Sequence, residues 1–202
     1  MIVMLNTSHD LEQCERELGR PVEQLFTPLN SVPLRRAEAR FAIDNGAYSD
    51  FSPSRFRNLL ARHEARRHLC RFVAAPDVVA SARRTLELFD CWYEDINQWP
   101  LALVAQDGLE DLTIPWRMIS AVFIGGTTRW KLSGAARDVI KAAQALGKWT
   151  HAGRVNTPAR FEYFETLGVD SVDGTKLARF SIARERIFAM HNTPTLFNGH
   201  NT

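Results

Sequence analysis

Short apolar runs alternate with helix-like segments, and nearly every run ends on polar or glycine-containing residues. Those two observations predict an α/β protein built as a compact (β/α)8 barrel. The length is the third observation: 202 residues make one ordinary domain with a substantial core. That is small for a barrel, so its helices are short or one unit is incomplete or irregular. An open doubly wound sheet is the other arrangement, but it gathers its ligand groups at one switch point rather than after almost every strand. A single domain is expected over residues 1–190, with a polar, irregular tail over 191–202.

Taken in order, the first strand is Ile2–Leu5. Phe41-Ala42-Ile43 runs into Asp44-Asn45-Gly46-Ala47-Tyr48 and then an arginine-rich helix over Ser54–Leu69. Phe72–Ala75 runs into Pro76-Asp77, with a helix from about Val79 to Trp92. Leu101–Ala105 leads to Gln106-Asp107-Gly108, and Ala121–Ile124 to Gly125-Gly126-Thr127-Thr128. Ser133 is a natural N-cap for a helix reaching Leu146, which Gly147 closes. Lys148–His151 leads into Ala152-Gly153-Arg154. Thr157-Pro158 opens a helix with Pro at its first position; Phe161, Phe164 and Leu167 fall on its inner face, and Gly168 ends it. A short strand then ends on Asp173-Gly174. That makes seven strands, and the eighth lies in Gln24–Pro33 or in Ile187–Met190.

Composition narrows the function. An apolar fraction of 45% and a charged fraction of 24% are those of a soluble globular protein. No apolar run approaches the roughly 20 residues of a membrane span. Met1–Leu5 is too short for a signal peptide and lacks its basic lead-in. Cys14, Cys70 and Cys91 are widely spaced with no Cys-x-x-Cys, which indicates neither a disulfide framework nor a structural zinc site. A cytoplasmic location is expected, that of the host if the protein is viral. Gly-x-Gly-x-x-Gly and Gly-x-x-x-x-Gly-Lys-Ser/Thr are both missing, so dinucleotide and P-loop binding are unsupported. The net charge of +2 does not announce a nucleic-acid binder, but nine arginines against four carboxylates give the segment from Arg35 to Arg71 about +5. On a helix, Arg55, Arg62 and Arg66 share one face that suits phosphates or plain solvent.

The strand ends collect Asp44, Asn45, Tyr48, Asp77, Gln106, Asp107, Gly125, Gly126, His151, Arg154 and Asp173. Two carboxylates on different strands suit displacement at a sugar's anomeric carbon, one attacking and one managing the leaving group's proton. An Asp and a Gln suit a purine edge, since a carboxylate accepts from N–H groups and an amide donates to a carbonyl. Gly-Gly lets backbone approach a flat ring, and a Tyr stacks on it. Asp107 fits a reader or a helix cap equally, and Tyr48 fits ordinary packing as well as stacking. Arg129, Lys131 and Arg154 are candidate phosphate contacts. His151 reads as a satisfied strand-end histidine rather than a ligand. Alternation along the strand turns Asp170 and Asp173 to opposite faces, so they do not act as a pair.

In this order the residues resemble the tRNA-guanine transglycosylases, or queuine tRNA-ribosyltransferases, over about Phe41 to Thr175. Asp44-Asn45-Gly46-Ala47-Tyr48 resembles the family's Asp-Ser-Gly-Gly-aromatic loop, and Asp77 its base-reading Asp. Gln106 matches the Gln of Val-Gln-Gly, and Ile124-Gly125-Gly126 the Gly-Gly-Leu backbone donor. Gly153 to Pro158 is similar to Gly-x-Gly-Thr-Pro. Gly168-Val169-Asp170-Ser171-Val172-Asp173 is similar to Gly-Val-Asp-x-Phe-Asp, whose second Asp is the nucleophile. The resemblance implies a barrel-fold pentosyltransferase exchanging guanine for a 7-deazaguanine of the preQ0 type through a covalent Asp173–sugar intermediate, with Asp44 as acid/base and no metal or redox cofactor. The family's Cys/His zinc site has no counterpart here, Asn45 and Ala47 replace small residues, and Gly174 stands where Cys is usual. Those departures point to the compact phage and genomic-island relatives that modify DNA, with free 7-deazaguanine as the second substrate and tRNA as the alternative polymer. A non-catalytic nucleobase- or nucleic-acid-binding barrel and a hydrolytic nucleosidase are the competing classes.

Overall fold

A computed structural model of the chain describes residues 1–6, 11–29 and 37–174. Its strands are β1 (Ile2–Leu5), β2 (Val22–Phe26), β3 (Phe41–Ile43), β4 (Cys70–Ala74), β5 (Leu101–Ala105), β6 (Ala121–Ile124), β7 (Trp149–Ala152) and β8 (Ser171–Asp173). They close in sequence order into one all-parallel barrel, with β8 paired to β1 so that Met4 lies opposite Asp173. The (β/α)8 prediction is therefore correct. The eighth strand is β2, which overlaps the start of the expected Gln24–Pro33 range but begins ahead of it at Val22. Its alternative at Ile187–Met190 and the tail over 191–202 lie outside the described residues.

The helices are α1 (Leu11–Leu18), α2 (Pro53–His63), α3 (Ala82–Ile96), α4 (Thr128–Lys131), α5 (Gly134–Ala145) and α6 (Pro158–Thr166). Side-chain oxygens of Ser52, Thr127, Ser133 and Thr157 cap α2, α4, α5 and α6 by accepting from backbone N–H groups in the first turn. Two expected helices differ. The Ser54–Leu69 helix stops at His63, and a 3₁₀ turn over Glu64–Leu69, with Arg66 out of helical geometry, brings the chain back to the barrel at Cys70. The cause is His63, whose ring is buried against Phe26 and Phe41 at 4.3 and 5.1 Å and anchors the helix end. The helix expected from Val79 begins instead at Ala82, because Ala80 takes a left-handed φ of 61° and its N–H is held by Gln106 Oε1 at 2.8 Å. It runs on to buried Ile96. Among the described residues, no helix is long and apolar enough to cross a membrane.

Alternation along the strands divides the core into two layers. One set of side chains packs outward against the helices, including Val3, Leu5, Ile43, Leu103 and Ile124. The other fills the barrel: Met4, Leu25, Ala42, Phe72, Ala74, Ala102, Val104, Ala121 and Phe123. Four alanines in that set make room for two large rings, Phe72 and Phe123, which meet edge to face at 6.1 Å. The lower end is held by Arg71, which pairs with both oxygens of Glu23 at 3.0 and 2.7 Å and lies over the Trp149 ring at 4.5 Å. The upper end, at the strands' carboxyl termini, carries the polar loops that form the candidate site.

Phe72 is fully buried inside this narrow interior. Phe72→Ala is expected to cost about 3–5 kcal/mol of stability, because a packed interior relaxes only partly into the space left. Urea denaturation measures it, and a loss below about 1 kcal/mol contradicts the packing described.

Candidate active site at the barrel mouth

A closed parallel barrel sends every strand's carboxyl end to the same face. Asp44 after β3, Asp77 after β4, Gln106 after β5, Gly125 after β6, Arg154 after β7 and Asp173 at the end of β8 therefore meet around two adjoining cavities. The outer cleft has a volume of about 300 Å³ and is also lined by Asn6, Thr27 and Asn156. The inner recess is walled by Val79, Val104 and Phe123 and floored by Asp77 and Gln106. Asp44, Tyr48, Arg154 and Asp173 line both.

Asp173 is held by both oxygens. Its Oδ2 lies 2.9 Å from His151 Nε2, and its Oδ1 accepts from the Arg154 backbone N–H at 2.9 Å. Arg154 takes a left-handed φ of 60°, uncommon for a side chain of its size, and that turn aims its N–H at the carboxylate. Burial alone raises the Asp173 pKa. The hydrogen bond and attraction of His151, the Arg154 N–H and the nearby Lys131 cation outweigh it and bring the pKa below the ordinary value. Asp44 has the opposite fate. Burial, then the negative charge of Asp173, then that of Asp77 push its pKa up to about 7, against weaker support from the Gly46 and Asn45 N–H groups. The mouth thus holds one carboxylate and one carboxylic acid near neutral pH, the division of labour that acid–base and nucleophilic chemistry at a sugar needs.

The recess is set by two amides. Asn45 Nδ2 donates to Asp77 Oδ1 at 2.8 Å, and Gln106 Nε2 donates to Asp77 Oδ2 at 2.6 Å. Each amide is fixed in direction by its other end: Ala80 N–H donates to Gln106 Oε1, and Ala47 N–H donates to Asn45 Oδ1 at 2.6 Å. Burial raises the Asp77 pKa, and the two amide hydrogen bonds and Arg154 oppose that rise. Gly125 keeps the wall open, since a Cβ there would lie 2.6 Å from Val104 Cγ1 and 2.8 Å from Gln106 Nε2.

Several expected roles change. The Gly125 and Gly126 N–H groups both donate to Ala105 O, at 3.0 and 3.1 Å, so neither is offered to a ligand; Gly125 borders the recess and Gly126 packs on Trp130. Asp107 anchors the start of α4, accepting from the Thr127 N–H at 2.7 Å and its hydroxyl at 2.6 Å, and does not line the recess. Lys131 is no surface phosphate contact: it is 3% exposed, donates to Gly153 O at 2.6 Å, and burial with the Arg154 charge pushes its pKa down to about 7. Arg129 stays exposed near the mouth. Arg154 is turned inward, donating to the Gly125 and Gly126 carbonyls at 3.3 and 2.7 Å and stacking over Tyr48 at 4.0 Å. Tyr48, 66% exposed, forms the rim. A helix following a strand runs back toward the opposite end, so Arg62 at the end of α2 and Arg66 in the 3₁₀ turn after it lie away from the mouth while Arg55 at the start of α2 is nearer. Asp170 ties β7 to β8 by accepting from the Thr150 N–H and hydroxyl, a structural role.

Sequence reasoning missed two residues. Asn45 is a strand-end polar group to which the sequence assigns no role, and it holds Asp77. His151 had been set aside, and it holds Asp173. Among the described residues, no three His, Cys, Asp or Glu side chains cluster as metal ligands would. No protein-family model matches the chain, and no curated protein matches it, so the reading of the site rests on its geometry.

The elevated Asp44 pKa has a consequence for stability. Between the unfolded carboxyl value near 4 and the folded value of about 7, the folded chain keeps a proton the unfolded chain has lost. Stability therefore falls as pH rises through that window. Asp44→Asn is expected to melt several degrees above wild type at pH 8 and to lose the advantage by pH 4. An equal difference at both values contradicts the assignment; thermal denaturation at the two pH values measures it.

Proposed function

We propose that the protein is a base-exchange transglycosylase that replaces guanine in DNA with a 7-deazaguanine. The observation that carries the reading is the convergence of Asp173, held at both oxygens by His151 and Arg154, and Asp44, whose pKa burial raises to about 7, beside a recess floored by Asp77 and Gln106. The ordered resemblance to guanine transglycosylases over residues 41–175 adds to it.

The target guanosine leaves its stack, at a cost of a few kcal/mol, and enters the mouth. Its base occupies the recess, with Asp77 accepting from the purine N–H edge and the remaining Gln106 N–H facing the carbonyl. The Asp173 carboxylate attacks C1′ as the bond to the base breaks, and the Asp44 acid protonates the departing guanine. The Asp44 carboxylate then takes a proton from the incoming 7-deaza base, whose ring nitrogen attacks C1′ and releases Asp173. The protons balance across one cycle, and a group titrating near 7 is suited to both transfers.

Incubating the protein with DNA and 7-cyano-7-deazaguanine, then digesting to nucleosides, is expected to show the deaza base incorporated; the parallel reaction on tRNA is expected to be slower. Release of free guanine without incorporation indicates a nucleosidase, and binding without either product indicates a non-catalytic barrel. The exchange rate is expected to decline as pH rises above about 7, when Asp44 loses the proton it donates. Gln106→Ala is expected to lower kcat/KM for a guanine-like base about ten- to a hundredfold relative to one lacking the carbonyl. An unaltered preference removes Gln106 from base reading.

A further inference from the structure

Inside the barrel runs a row of polar side chains that the exchange chemistry does not itself require. Trp149 Nε1–H donates to Ser171 Oγ at 2.9 Å, Ser171 Oγ lies 2.9 Å from His151 Nδ1, and His151 Nε2 lies 2.9 Å from Asp173 Oδ2. The four residues alternate along two paired strands, with His151 directly opposite Ser171 in the register. His151 and Ser171 are fully buried, in an interior that is otherwise almost wholly apolar. The imidazole is wedged between the rings of Phe72 at 5.1 Å and Phe123 at 4.5 Å, so its orientation is fixed.

Counting hydrogens gives the row a direction. Ser171 already accepts from Trp149 and has one hydrogen to give. Donated to His151 Nδ1, it makes that nitrogen an acceptor and leaves the ring hydrogen on Nε2, aimed at Asp173. The reverse arrangement places two donors on Ser171 and leaves its own hydrogen without an acceptor inside the barrel.

We propose that His151 is a positioning residue for Asp173: Ser171 sets its tautomer, and its Nε2–H fixes one carboxylate oxygen and stabilises the charge that attacks the sugar. The proposal rests on the nucleophile role given to Asp173 above. The other groups facing that carboxylate are the Arg154 N–H from the loop after β7, Lys131 from α4, and Asp44 from the loop after β3. None of them replaces the donor at Oδ2.

Three variants test it. His151→Phe fills the slot between Phe72 and Phe123 without a donor. His151→Gln restores an N–H near the position of Nε2. Ser171→Ala leaves the imidazole but removes its tautomer lock. Carbon-13 NMR of labelled aspartate carboxyls, with the Asp173 signal identified by its loss in Asp173→Asn, reads the carboxyl directly and needs no turnover. His151→Phe is expected to move the Asp173 titration upward by about one unit or more, Ser171→Ala by less, and His151→Gln to keep it near wild type. In exchange assays, His151→Phe is expected to lower kcat about ten- to a hundredfold with little change in KM, and His151→Gln to recover most of it. An Asp173 titration unchanged in His151→Phe overturns the proposal whether or not exchange is observed. A wild-type protein that exchanges no base overturns the proposed function instead, and the titration still decides the role of His151.

Discussion

The site depends on one electrostatic constraint: of two carboxyl groups that share a mouth, one is held as the anion while the other keeps its proton up to a pKa of about 7. Burial makes a second charge costly, and the neighbouring anion adds to that cost, so one group keeps its proton to higher pH. Which one does so is settled by donors. Asp173 collects an N–H at each oxygen, from Arg154 and His151, and a cation behind it in Lys131. Asp44 has the weaker support of two turn N–H groups and carries the cost of Asp173's charge. The asymmetry is built by the barrel, because the donors to Asp173 come from the neighbouring strand and the loop that follows it.

The same economy of space runs through the surrounding shell. Gly153 lets Phe123 and Asp173 approach, since a Cβ there would lie 2.5 Å from Phe123 Cε1 and 3.4 Å from Asp173 Oδ2. Arg154 serves three neighbours at once: its N–H holds the Asp173 carboxylate, its guanidinium holds the two glycine carbonyls, and its plane covers Tyr48. The recess and the Asp173 carboxylate are thereby joined through one residue. In the recess, Asn45 and Gln106 turn their amides toward Asp77, leaving a carboxyl with its remaining lone pairs facing the cavity. A ligand edge rich in N–H groups complements that surface.

Much of the fold was legible because period-two alternation and strand-end polarity are local signals. β2 was hard to place because Val22-Glu23-Gln24-Leu25-Phe26 interrupts its apolar run with Glu23, and the reason for Glu23, its pairing with Arg71 across the sheet, is not local. Asp44, Asp77, Gln106 and Asp173 were found because each directly follows or ends a strand. His151 was not, because its meaning lies in Asp173, which follows by 22 residues and meets it only when β7 and β8 pair. Lys131 was misread because it follows exposed Arg129 on a four-residue helix whose inward turn no periodicity can show. The Gly-Gly pair was located correctly, but the direction of its N–H groups depends on the backbone path. The arginine face of α2 was an argument about angle around an axis, whereas distance along that axis decides which arginines approach the mouth.

The identity of the attacking group carries the whole account, and a trapped intermediate tests it most directly. Protein incubated with guanine-containing DNA and no incoming base is quenched in denaturant, treated with nuclease, and analysed by intact mass and peptide mapping. The account predicts a sugar-sized mass increase on the peptide containing Asp173, absent in Asp173→Ala. An adduct that maps to Asp44, or one that persists undiminished in Asp173→Ala, contradicts it.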